Sequence, residues 1–87
     1  MLEYTVTENK FGTKFWNLNG KLHREDGPAI EYTDGSTEWY VNGELHREDG
    51  PACEYTDGDK YWFINDHRLY EKEFDAYKTT KIVYGFG

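Results

Sequence analysis

A mainly β fold, with tandem β-hairpin repeats forming one elongated antiparallel sheet closed by a short C-terminal capping helix, follows from three features of this 87-residue sequence. A 23-residue stretch recurs almost verbatim, tight-turn dipeptides punctuate it at fixed offsets, and tryptophans return at the repeat period. FWNLNGKLHREDGPAIEYTDGST, beginning at Phe15, runs directly into EWYVNGELHREDGPACEYTDGDK, beginning at Glu38, and 16 of 23 positions are identical: one Trp, Asn-Gly, the eight of LHREDGPA and the five of EYTDG. Gly12, Gly35 and Gly58 each precede a tryptophan by four residues (Trp16, Trp39, Trp62), and Asn19, Asn42 and Asn65 hold the same register. One domain spans 1–87, with units at about 12–34 and 35–57 and a partial third at 58–68.

Each unit divides into about three short strands. A tryptophan-bearing strand leads to Asn19-Gly20 or Asn42-Gly43, a turn pair that favours positive φ at both central positions. A second strand ends in Leu-His, and Glu-Asp-Gly-Pro makes a looser link in which Pro28 or Pro51, unable to donate to a ladder, stands at a strand start. The third strand, AIEY or ACEY, closes on Asp34-Gly35 or Asp57-Gly58, predicted as a two-residue turn of the same kind. Alternation puts Trp16 with Leu18, Trp39 with Val41 and Trp62 with Ile64 on one face, predicting a continuous stacked row. Asn17, Tyr40 and Phe63 fall on the other, wetter face, and Cys53 reads as packing because Ile30 is its counterpart. In the third unit Asp66 replaces the turn glycine, and Tyr70, Phe74 and Tyr77 at i, i+4 and i+7 predict a helix over about 70–78. A solenoid needs an atypical end, and this helix supplies it; the tail 79–87 alternates briefly and is expected to add an edge strand.

Composition narrows the function. The aromatic fraction of 18% argues for a fold despite a mean hydropathy of -0.97. No apolar run approaches a membrane span, and Met1 to Lys10 lacks the pattern of a signal peptide, so a cytoplasmic protein is expected. The formal charge of -7 is concentrated: residues 24–60 hold eleven acids and three bases, or -8, against +1 before and zero after. That disfavours direct contact with nucleic acid or membrane.

The motifs W-x-x-N-G-x-L-H and E-Y-x-D-G resemble the MORN family of repeats over residues 12–65. The family's HGxG stretch is replaced here by His23-Arg24-Glu25-Asp26-Gly27-Pro28 and its copy at His46 to Pro51, which resembles the MORN-like repeat proteins of bacteriophages and some bacteria; a related bacterial branch, the YwqK-like proteins, is named as antitoxin. The resemblance implies stacked β-hairpins and binding without catalysis.

The site expectations follow. His23, Glu25 and Asp26, repeated as His46, Glu48 and Asp49, match no metal or catalytic signature, and each His is expected to close its own turn. With no nucleophile or nucleotide cradle, neither catalysis, metal nor cofactor is expected. Glu25, Asp26, Glu48 and Asp49 are expected to stack in register, either as a solvated, self-repelling surface that keeps the sheet soluble and blunts edge pairing or as an acidic ridge that meets a basic partner, with Tyr40, Tyr61 and Phe63 as aromatic anchors beside it. Trp16, Trp39, Trp62, Gly35, Gly58, His23 and His46 are assigned structural roles. The leading expectation is a small phage-encoded inhibitor of a host protein that normally binds nucleic acid. The alternatives are a metal- or small-molecule-sequestering protein and a scaffolding or antitoxin-like module; homo-oligomers would form through edge strands.

Overall fold

The computed structural model describes residues 3–81. In chain order it contains β1 (Thr5–Glu8), β2 (Lys14–Leu18), β3 (Lys21–Leu22), β4 (Ile30–Glu31), β5 (Thr37–Glu38), β6 (Tyr40–Val41), β7 (Glu44–Leu45), β8 (Cys53–Glu54), β9 (Lys60–Ile64), β10 (His67–Leu69) and α1 (Glu71–Thr80). The main sheet runs β1-β2-β4-β5-β8-β9-β10, with β3 on β2 and a separate β6-β7 ribbon. Among the described residues every pairing is antiparallel and the path is open at both ends.

The Asn-Gly turns form as the sequence predicts. Asn19 and Gly20 take φ of 53° and 79°, Asn42 and Gly43 take 52° and 81°. The third unit keeps the same turn without glycine, with Asn65 at 49° and Asp66 at 67°, because short polar side chains tolerate this region. The Asp-Gly turns differ from expectation. Only Gly35 and Gly58 take positive φ, 97° in each, within a longer loop whose Asp34 and Asp57 carboxylates accept the N–H of Ser36 (2.8 Å) and Asp59 (2.9 Å). This is a type I turn followed by a glycine bulge, the usual geometry of a three-residue hairpin loop. The same loop, Asn9 to Thr13 around Gly12, precedes the first tryptophan strand. β1 therefore occupies the place of β4 and β8 one period earlier, with Glu8 in line with Glu31 and Glu54.

Successive units are stitched together at the ends of their long strands. Gly43 N–H donates to Leu22 O (2.8 Å) and Arg24 N–H to Tyr40 O (3.1 Å); Asp66 to Leu45 (2.9 Å) and Arg47 to Phe63 (3.2 Å) repeat the pattern.

The core differs from a continuous tryptophan row. All three indoles are half-buried, and each is covered by its own partner. Full burial falls instead on Ala29, Ile30, Ala52 and Cys53 in the middle of the sheet, and on Ile64, Leu69, Phe74 and Tyr77 at the C-terminal end. There α1 lies over β9 and β10 with Phe74 against Trp62, ring centroids 6.5 Å apart. The helix agrees with the 3.6-residue spacing but starts one residue and ends two residues later than expected, and Tyr70 is 70% exposed. It stands at the N-cap, where its N–H donates to the Glu73 carboxylate at 2.9 Å. Thr79 and Thr80 belong to the helix, and the rest of the expected edge strand, 82–87, lies outside the described residues.

Candidate functional site

The His-Arg-Glu-Asp-Gly-Pro segments build a repeated module. The Arg24 guanidinium lies 4.1 Å above the Trp16 ring and donates to Pro28 O and Glu31, both at 3.2 Å, with Asp26 at 3.4 Å. Arg47 copies this over Trp39 at 4.0 Å, bonding Pro51 O (3.1 Å), Glu54 (3.1 Å) and Asp49 (2.7 Å). The glycine of the loop lets the guanidinium approach the backbone closely: a Cβ at Gly50 would stand 3.0 Å from the Arg47 guanidinium carbon. Each arginine is thus held between an indole and a bare backbone, and its fork fixes the loop that carries the acids.

The histidines join units rather than closing only their own turns. His23 is buried, and its Nδ1 accepts the N–H of Asn42 in the next unit at 2.9 Å. Nδ1 therefore carries no proton, and Nε2–H faces Glu25 at 3.2 Å. His46 repeats this with Asn65 (3.1 Å) and Glu48 (3.0 Å). The bond from His46 holds the Glu48 carboxyl below its ordinary range, with Lys81, 3.6 Å away, adding to the effect.

Between the two loops lies a groove of about 430 Å³. Glu25 and Asp26 belong to one loop and Glu48 and Asp49 to the next, while Trp39, Val41, His46 and both arginines complete the lining. The side chains of Asp26 and Asp49 are 85% and 76% exposed, so each can meet a partner while holding its arginine. Four carboxylates against two guanidiniums leave the lining with a formal charge of two negative, counting His46 as neutral. The structure brings together all four predicted acids.

It does not bring the predicted aromatic anchors to them. Phe15, Ile30, Glu38, Cys53 and Tyr61 are successive register partners and share one face of the sheet, opposite Trp16, Trp62 and the arginine-bound Glu31 and Glu54. Tyr40 belongs to that face because its hydroxyl donates to Glu38 (3.0 Å), as does Tyr55 (2.7 Å). Phe63, two residues from Tyr61, follows. Tyr40, Tyr61 and Phe63 are therefore on the far side of the sheet from the acidic groove, whose apolar residues are Trp39 and Val41. Burial, and then the hydrogen bond to Glu38, push the Tyr40 and Tyr55 phenols well above their ordinary range.

Two features escaped the sequence reading: the arginine lids and the Trp39 and Val41 lining. The signal was present, since Trp-to-Arg spacing of eight and Arg-to-Gly spacing of three both occur twice (Trp16, Arg24, Gly27; Trp39, Arg47, Gly50). In the third unit Tyr70 stands at the arginine's place and Phe74 covers Trp62 instead.

Cys53 packs as expected: it is 3% exposed, and burial raises its thiol pKa. Labelling by a maleimide at neutral pH should be slow in the folded protein and fast in denaturant, because the thiolate is the reactive form. Equal rates would mean that β8, at the sheet's centre, opens freely.

Among the described residues, no group of three or more His, Cys, Asp or Glu side chains is arranged to hold a metal ion, and no helix is long and apolar enough to cross a membrane. Comparison with family models, curated proteins and solved structures gives no match.

Proposed function

We propose that this chain is a non-catalytic protein-binding module whose acidic groove seats the lysine and arginine side chains of a basic partner surface. One observation carries the reading: two copies of the same rigid loop place Glu25, Asp26, Glu48 and Asp49 around a single groove with an indole in its lining. Carboxylates held on fixed loops compete with phosphates for the same cationic groups, so a host protein that normally binds nucleic acid suits the groove. The repeat resemblance extends this to a small phage-encoded inhibitor acting in the host cytoplasm.

Exposed carboxylates contribute chiefly through long-range attraction, and the association rate should fall as salt rises. The test is retention of bacterial lysate proteins on the immobilised chain, followed by association kinetics with the purified hit. Reversing Glu25, Asp26, Glu48 and Asp49 to lysine should slow association about tenfold to a hundredfold. Duplex DNA or RNA should displace the same hit. Retention that ignores both the reversal and the nucleic acid would refute the proposal.

A further inference from the structure

The two ends of the sheet carry complementary, half-filled pairing sites. The strands of the AIEY and ACEY segments are paired on both sides by strands that carry a tryptophan or run directly into one: β4 lies between β2 and β5, and β8 between β5 and β9. β1 holds the same repeat position one period earlier, yet among the described residues it pairs with β2 alone, and all four of its residues are exposed. At the other end, among the described residues, Lys60 and Tyr61 of β9 are in strand pairing with β8 on one side only, because β10 reaches no further along β9 than Trp62. One end lacks a long strand's neighbour and the other lacks a short strand's.

The side chains across the sheet fit the same completion. One register row reads Glu8, Lys14, Glu31, Thr37, Glu54, Lys60. It begins with an acid and ends with a base, opposite charges face each other at three of its five steps, and uncharged Thr37 separates Glu31 from Glu54 at the other two. We propose that the chain stacks head to tail, with β1 of one copy pairing along Lys60–Tyr61 of the next. Glu8 then faces Lys60 as Glu54 already does, and Thr7 faces Tyr61 in the second row. The occupant is a second copy of this chain, selected by charge order and by the sheet's own repeat. A contact between unlike ends leaves one free end of each kind on the dimer, so growth continues past it, as a filament or until a ring closes. This association is independent of the acidic groove, and either can fail alone.

Sedimentation equilibrium over a wide concentration range tests it. The weight-average mass of the wild-type chain should keep rising with concentration, without a plateau at the dimer. Glu8→Lys alone puts Lys against Lys60, and Lys60→Glu alone puts Glu against Glu8. Each should weaken association roughly five- to tenfold, because like charges directly opposite oppose pairing. An equimolar mixture of the two variants restores opposite charges at every junction and should regain growth. Far-UV circular dichroism verifies that each variant is folded, with Glu8→Gln as a milder substitute. A wild-type chain that stays monomeric throughout, association that ignores both reversals, or a mixture no better than its components would each overturn the proposal.

Discussion

Phe74→Ala is expected to cost about 3–5 kcal/mol and to release the C-terminal helix from the sheet. Phe74 is 1% exposed and touches both halves of the terminal cluster, lying 6.5 Å from the Trp62 ring and 6.3 Å from Tyr77. The ten residues of α1 are too few to be helical alone, so the helix exists only through this packing. Its other supports are local: Glu71 and Glu73 in the first turn, and Lys81 N–H closing on Tyr77 O. These add tenths of a kcal/mol each and cannot replace a buried phenyl ring. A domain of this length has about 4–13 kcal/mol in all, so the loss consumes much of the total. Urea titration followed by circular dichroism should show a lower midpoint and a weaker helical signal before the main transition. Phe74→Leu, which keeps most of the volume, should cost under about 1.5 kcal/mol. A Phe74→Ala protein that keeps its helix and loses less than about 1 kcal/mol would contradict the role of α1 as the cover of Trp62 and the β9-β10 face.

The repeat made most of the fold legible because identical segments must take identical environments when they stack. The Asn-Gly turns and the helical end follow from spacing in the sequence. Three things did not. β1 was hidden because Phe11 stands where the later loops have aspartate, although Asn9 and Gly12 still build the loop. The Asp-Gly dipeptides fit two turn types, and only the Asx hydrogen bonds from Asp34 and Asp57 select the longer one. The placement of tryptophan was misread because alternation gives the face but not what lies above it. A guanidinium over an indole buries that ring as effectively as another ring, while keeping charge at the surface. The four acids were found because their type and repetition are visible. Their supposed anchors were misplaced because neighbours in sequence on a strand point to opposite faces.

Arg47→Ala should destabilise the protein by about 2–4 kcal/mol, combining a stacked cation worth about 0.5–2 kcal/mol with charge-assisted hydrogen bonds worth about 1.5–3 kcal/mol each before solvent exposure discounts them. The side chain is 19% exposed, and it is the common partner of Trp39, Pro51 O, Asp49 and Glu54. Its removal bares an indole face and leaves the Pro51 carbonyl without its donor. It also frees the loop bearing Glu48 and Asp49, so the groove should lose definition along with stability. Arg47→Lys separates the two contributions. It keeps the charge but not the planar fork, and should recover less than half of the loss. Gly50→Ala reaches the same lid from the other side, because the added Cβ meets the guanidinium at 3.0 Å. If the lid is one mechanical unit, combining Gly50→Ala with Arg47→Ala should cost clearly less than the sum of the two, since the clash vanishes with the arginine. Guanidinium denaturation of the four proteins measures this coupling. Strict additivity would mean that the loop is held by something other than the arginine between Trp39 and Gly50.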